Sequence, residues 1–283
     1  MVRASRRRRV TRVRVQDDGA IDVDARADTI AGEEPLELRL NGRPFTVTMR
    51  TPGDDFDLAA GFLVSEGVIS SMDQIATLRY GPGVDADGRA SYNIVEVGLA
   101  PGVALPDTSA ERHVYTSSSC GICGTASIDA VTKASSFDVS GDRLRLTAAQ
   151  LLAMPDALRA EQSLFSSTGG VHAAGLFAVG PDGPELLCLR EDVGRHNAVD
   201  KVVGWALREG RLPARGTVLQ VSGRASFELV QKAHLAGIPA LAAVSAPSSL
   251  AVELAEEAGI TLAGFSRGRS VNLYTRIDRV VTD

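Results

Sequence analysis

Cysteine is scarce in this chain: three residues in 283, at positions 120, 123 and 188. An odd number of cysteines with no export signal excludes a structural disulfide framework and fits a reducing, cytoplasmic setting. Lysine is as rare, with Lys133, Lys201 and Lys232 the only three among 30 basic residues, a bias that reads as genomic composition. No run approaches the roughly 20 apolar residues of a membrane span. The one dense basic cluster, Arg6 to Arg9, precedes Val10-Thr11-Arg12-Val13-Arg14 instead of an apolar stretch. It therefore fails as a secretory or twin-arginine signal and is expected to be a solvated, disordered start. A formal charge of -5 argues against a nucleic-acid-binding domain, which would be basic with its cations on one face. Internal repeats and low-complexity tracts are absent.

What is present is the composition of an ordinary globular protein, 44% hydrophobic and 23% charged, long enough for about two domains. The pattern predicts a strand-rich α+β N-terminal domain over residues 1–143, ending in the cysteine segment, and an α/β domain over 144–283. In the first, strands 36–40 and 45–49 flank an Asn41-Gly42 hairpin turn. A helix follows, with Thr51-Pro52-Gly53-Asp54-Asp55 supplying its cap, early proline and first-turn acids, and a strand is expected from Tyr92 to Val97. In the second, helices near 147–162, 195–208, 225–236 and 249–258 alternate with strands near 174–179, 185–190, 218–221, 239–244, 260–265 and 271–274. Such alternation predicts a mainly parallel sheet with ligands at the carboxyl ends of its strands.

Those strand ends carry unusual residues. Ser222-Gly223-Arg224 and Ser245-Ala246-Pro247-Ser248-Ser249 each stand between a strand and a helix, and Phe265-Ser266-Arg267-Gly268-Arg269-Ser270 follows a third strand. Free N–H groups at helix starts, with hydroxyls and arginines beside them, suit a nucleotide or another phosphate-bearing ligand. His172, in Gly169-Gly170-Val171-His172, and the polar set Asp192, Arg195, His196 and Asn197 also fall at element boundaries, where binding residues collect. Cys188, in Leu186-Leu187-Cys188-Leu189, reads as buried filler, and His113 and His234 as surface or packing residues.

Cys120 and Cys123 stand apart, as Ser119-Cys120-Gly121-Ile122-Cys123-Gly124. Structural zinc needs more ligands than one pair, and the chain has no second CxxC and no HxxxH, so no metal site is expected. A zinc deaminase would also need HxE and a proline before the first cysteine, whereas residue 119 is serine and no histidine has glutamate two positions on. A thioredoxin-like redox pair would need strand-helix-strand surroundings that are not visible. Persulfide carriage needs only a thiolate, with Gly121 and Gly124 letting a bulky partner approach. Spacing alone leaves persulfide and redox chemistry both open.

The set comprising this CxxC, Gly169-Gly170-Val171-His172, the run from Glu191 to Lys201, Ser222-Gly223-Arg224 and Gly264 to Arg269 resembles the formate dehydrogenase accessory protein family, FdhD. The stretch from Pro52-Gly53-Asp54-Asp55 to Glu66-Gly67 matches as well, so that the resemblance runs from about Arg39 to Tyr274. It implies a cytoplasmic, homodimeric sulfurtransferase that takes sulfur from a cysteine desulfurase as a persulfide. The acceptor is the molybdenum bis(molybdopterin guanine dinucleotide) cofactor, before its insertion into formate dehydrogenase. Cys120 matches the persulfide cysteine, Cys123 its partner, and Phe265 to Ser270 the cofactor-binding segment, for which GDP would be a mimic. The resemblance also implies a three-layer second domain like the cytidine-deaminase fold. A non-catalytic cofactor chaperone and a thiol-disulfide oxidoreductase are the rival readings.

Overall fold

The computed structural model describes residues 4–83, 91–105 and 134–282. Cys120, Cys123 and His113 lie outside the described residues. Strands β1 (Ser5–Val15) and β2 (Ile21–Ala31) form a hairpin in continuous antiparallel register from Ser5↔Ala31 to Val15↔Ile21. This corrects the expectation of a disordered start. The cause is cross-strand pairing: Arg12 pairs with Asp24 and Arg14 with Asp22, acids that the basic cluster alone does not reveal.

Strands β3 (Glu34–Leu40) and β4 (Arg43–Arg50) meet at Asn41-Gly42, both residues with φ > 0 as the tight turn demands. With β5 (Ile75–Tyr80) and β6 (Ile94–Leu99) they make a four-stranded sheet in the order β4-β3-β6-β5. Helix α1 (Asp55–Ser65) begins three residues after Pro52, later than the proline cap predicts, and its Asp54 N-cap makes no side-chain hydrogen bond. Its acids serve as anchors instead. Asp55 pairs with the fully buried Arg50 at 2.9 Å, and Asp57 pairs with Arg190 at 2.8 Å and with Arg208.

The second half contains β7 (Leu146–Thr147), α2 (Ala148–Glu161), α3 (Ser163–Thr168), β8 (His172–Gly180), β9 (Gly183–Asp192), α4 (Arg195–Arg208), β10 (Thr217–Val221), α5 (Phe227–Leu235), β11 (Ala240–Ala243), α6 (Ser249–Glu257), β12 (Thr261–Arg267), β13 (Ser270–Thr275) and β14 (Val280–Val281). Its sheet runs β13-β12-β11-β10-β8-β9. Only β10, β11 and β12 are mutually parallel, while β8, β9 and β13 join antiparallel, so the expected mainly parallel sheet is mixed. The two hairpins β8–β9 and β12–β13 have connections too short for a parallel crossover.

Period-two alternation gives the sheet two apolar faces. Ala173, Phe177, Val218, Ala242 and Ala263 pack with Leu151, Met154 and Leu158 of α2. Leu176, Leu219, Val221, Leu241 and Leu262 face α4, α5 and α6, and that same core runs on through α1 into Leu36, Leu38, Val95 and Val97 of the N-terminal sheet. The two halves therefore share one core. At its centre α1 and α4 touch backbone to backbone: a Cβ on Gly61 would stand 1.8 Å from Asp200 O, and one on Gly204 1.8 Å from Asp57 O.

Gly204→Ala should therefore force the helices apart and destabilise by about 3 kcal/mol or more, the upper end of overpacking costs. Gly141, with open space around it, provides the control, and urea unfolding of Gly141→Ala should match wild type within about 1 kcal/mol.

Candidate functional site

Because β10, β11 and β12 are parallel, their carboxyl ends share one edge of the sheet. Antiparallel β8 brings its start to that edge, and β9 brings its end, with His172 opposite Asp192. The loops that follow are stitched together. Ser222 N–H donates to Ala173 O at 3.0 Å and Ser222 Oγ accepts from Ala173 N–H at 2.9 Å. Ser245 N–H donates to Gly223 O, and Phe265 N–H donates to Ser245 O. The three strand-end elements read from the sequence are thus neighbours in space.

A cavity of about 640 Å³ opens beside them, lined by His172, Ser222, Val244 and Arg267 from the sheet edge and by Pro155, Asp156, Arg159, Gln162 and Phe165 from α2 and α3. Arg267 is aimed by an irregularity in β12. Phe265 has φ 53°, the register slips between Gly264 and Arg267, and the guanidinium lies 6.0 Å from the Phe265 ring centroid. Gly268, at φ 59°, turns the chain back so that Arg267 pairs with Ser270, leaving Arg267, Gly268, Arg269 and Ser270 exposed. Ser266 is fully buried, and its Oγ has no hydrogen-bond partner among the described residues. Arg224 is exposed beside Gly223, whose missing Cβ would lie 3.7 Å from His172 Nδ1.

The far wall rests on Glu191. Its carboxylate accepts from Leu164 N–H and Phe165 N–H, each at 2.8 Å, and so caps the start of α3. Arg159 stacks 4.5 Å over the Phe165 ring, placing a second cation at the cavity.

The polar set after β9 divides. Asp192 and Asn197 face inward: Asp192 Oδ2 lies 2.8 Å from Lys201 Nζ and accepts from Thr51 N–H, while Asn197 Nδ2 donates to Met49 O and Asp192 Oδ1. Lys201 Nζ also donates to Thr51 O at 2.9 Å. These contacts bind the β4–α1 connection to the start of α4. Burial works to raise the Asp192 carboxyl, against the Lys201 charge and the hydrogen bonds from Gly194 and Asn197. His196 instead faces α5, with Nε2 2.5 Å from Glu228 Oε2. Burial of Glu228 works to raise its carboxyl, but the close His196 and the charges of Lys232 and Arg195 outweigh it and hold the group below the usual carboxylate range. Partial enclosure lowers the His172 imidazole, and Arg195 and His196 lower it further. Among the described residues, the guanidinium groups of Arg159 and Arg267 line the cavity beside the carboxylate of Asp156.

The model of the FdhD/NarQ family matches residues 31–281. The chain belongs to the FdhD/NarQ family. It is 57% identical over 281 residues to a sulfur carrier protein FdhD of Streptomyces avermitilis, covering 99% of this chain and 97% of that one. It is 42% identical over 271 residues to a sulfur carrier protein FdhD of Saccharolobus solfataricus, covering 95% and 96%. A crystal structure from Desulfotalea psychrophila, described as that of a formate dehydrogenase accessory protein, has the same fold, with a TM-score of 0.71 over 98% of this chain and 100% of that one at 23% identity.

In this FdhD/NarQ chain, sequence reasoning missed Arg159, Glu191 and Glu228 as parts of the site. Arg159 lies on a helix that reads as plain scaffold, and Glu191 sits inside a quoted motif whose neighbours drew the attention. Glu228 falls in the first turn of α5 and reads as a dipole partner, so only the tertiary fold discloses His196 opposite it. Among the described residues no helix is long and apolar enough to cross a membrane. Cys188 is buried, as its apolar neighbours predict, and burial pushes its thiol up to about 12.

A chromogenic disulfide reagent at pH 8 should therefore leave Cys188 unmodified in the native protein and label it only after denaturation, as peptide mapping would show. Because folding lowers the His172 imidazole below its ordinary value of about 6.5, the folded state resists its protonation and loses stability as pH falls below that value. An anion in the cavity should reverse the shift. In an NMR titration, pyrophosphate should move the His172 midpoint upward, and an unmoved midpoint would remove His172 from the anion site.

Proposed function

We propose that this protein is a sulfur carrier acting as a sulfurtransferase in the cytoplasm, with a cysteine desulfurase as donor. The Cys120 thiolate attacks the terminal sulfur of the donor's persulfide. The donor's S–S bond breaks, its cysteine leaves as thiolate, and Cys120 keeps the sulfur as its own persulfide. The acceptor substrate is the molybdenum bis(molybdopterin guanine dinucleotide) cofactor, destined for formate dehydrogenase. Cys123 thiolate then attacks Cys120 Sγ, so that hydrosulfide leaves with the electron pair for the acceptor's metal. The Cys120–Cys123 disulfide that remains is reduced by an external dithiol.

The observation that carries this reading is the cavity at the sheet edge. Its volume, about 640 Å³, suits a nucleotide-sized ligand, and Arg267, Arg159, His172 and Ser222 converge on it with the charge and donors a phosphate needs. Phe265, Ser266, Gly268, Arg269, Ser270, Gly223 and Arg224 extend the binding surface in this proposal, with Arg195 supplying positive charge, His196 held beside Glu228, and Asp192 and Asn197 fixing their helix. Relatives bearing the name sulfur carrier protein support it. So does reach. Ala134, where the described chain resumes, follows Cys123 by eleven residues, a contour of up to about 36 Å. The next residue, Ser135, is tied to His234 O near the opposite edge of the sheet, whose central strands of four to seven residues span about 13–23 Å. The likeness of the second domain to the cytidine-deaminase fold belongs to the same proposal, as does a homodimeric assembly.

After incubation with a desulfurase and cysteine, mass spectrometry should find one added sulfur on the peptide containing Cys120. Cys120→Ala should lose it and fail to restore formate dehydrogenase activity in a strain lacking the native protein. In equilibrium dialysis with GDP, Arg267→Ala should weaken binding about 10- to 100-fold, the cost of one charge-assisted contact. Restored activity with both Cys120→Ala and Cys123→Ala, but not with Arg267→Ala, would instead identify a cofactor chaperone. Reversible oxidation of the pair at a defined potential with no dependence on guanine nucleotide would identify an oxidoreductase.

A further inference from the structure

The β1–β2 hairpin is amphipathic in an unusual direction. Its register places Arg12, Arg14, Asp22 and Asp24 on one face, where they neutralise one another. The other face presents Thr11, Val13, Val15, Ile21, Val23, Ala25 and Ala27, followed toward the base by Arg9 and Arg7. That face is bare: Val13 is 60% exposed, Val15 72%, Ile21 68% and Val23 60%. Among the described residues the support is at the base of the hairpin, where β2 lies against α3 and Ala31 closes on Gly170. A two-stranded ribbon alone in water is marginally stable, and a continuous exposed apolar patch marks an interaction surface.

We infer that this arm lies apolar face down on the body of a second copy of the chain, in a two-fold exchange that each copy reciprocates. Two quantities select this occupant. The first is charge: Arg7 and Arg9 have no ion-pair partner among the described residues, and the chain as a whole carries -5, so a second copy is a partner of net opposite charge for them. The second is area. Strands of 11 residues are about 36 Å long and the ribbon about 10 Å wide, giving about 350 Å² per arm face. Two-fold symmetry and the matching area on each body bring the total to about 1,400 Å², within the range of stable interfaces. The inference names the surface through which the homodimer of the proposed function forms, and rests on that reading of its assembly.

Analytical ultracentrifugation of the full chain tests it. Wild type should sediment as a dimer at micromolar concentration, and Val13→Asp and Val23→Asp should each weaken dimerisation at least about 30-fold, because an uncompensated carboxylate would be buried. Arg14→Gln, on the charged face, should leave dimerisation unchanged within about threefold. Hydrogen exchange supplies a reading that does not depend on the variants: amides of residues 21–28 in wild type should gain protection as concentration rises through the dimerisation range. A wild type that stays monomeric overturns both the homodimer and the arm. A dimer indifferent to Val13→Asp and Val23→Asp, with exchange at 21–28 independent of concentration, overturns the arm alone.

Discussion

The structure depends on the absence of two side chains. Where α1 crosses α4, Gly61 and Gly204 let each backbone meet the other's carbonyl, Asp200 O on one side and Asp57 O on the other. Such close approach brings charged groups within reach across the crossing. Asp57 takes Arg190 and Arg208, and Asp200 takes Lys232 at 2.7 Å and accepts from Ser65 Oγ at 2.6 Å. These carboxylates are nearly inaccessible to water, and a buried charge is tolerable only when paired and hydrogen-bonded. The helix crossing and the ion pairs therefore require each other.

From that crossing the site follows in a fixed order. Holding α1 against α4 brings Thr51 to Lys201 and Asp192, which sets the end of β9 and the first turn of α4. The end of β9 sets the start of β8 through their register, and so places His172 on the rim. Arg267 arrives independently, through the parallel run of β10, β11 and β12 and the irregularity at Phe265. The cavity is the meeting point of two separately positioned groups of residues, one secured by the N-terminal half and one by the sheet.

Much of this was legible in the sequence, and the unread parts have physical causes. Period-two alternation and the Asn41-Gly42 turn located the β3–β4 hairpin, and helix-strand alternation located α4, α5, α6 and the strands between them, because local pattern decides those elements. The edge cluster was legible because the residues after parallel strands must share an edge. What local pattern cannot carry is pairing partners. The Asp57, Asp192 and Asp200 clamps are settled by residues distant in sequence, Arg190, Thr51 and Lys232. Asp192 and Asn197 read as ligand contacts for this reason: a polar cluster at a helix start looks the same whether it faces a cavity or a neighbouring lobe. Arg50 and Arg279, both fully buried, leave no trace in hydropathy. Arg279 holds the carbonyls of Val139, Pro239 and Gly259, a role visible only once those loops are in place.

Glu191 and Asp192 are adjacent on a strand and therefore point to opposite sides of it. One carboxylate grips the first turn of α3 and the other is locked to Lys201 and Thr51. A single peptide unit thus joins the cavity wall to the junction between the two halves, with no slack between them. The wall is stiff where α3 begins. At its other end α3 stops at Gly169, in the left-handed region at φ 66° that glycine adopts without strain, and passes into Gly170.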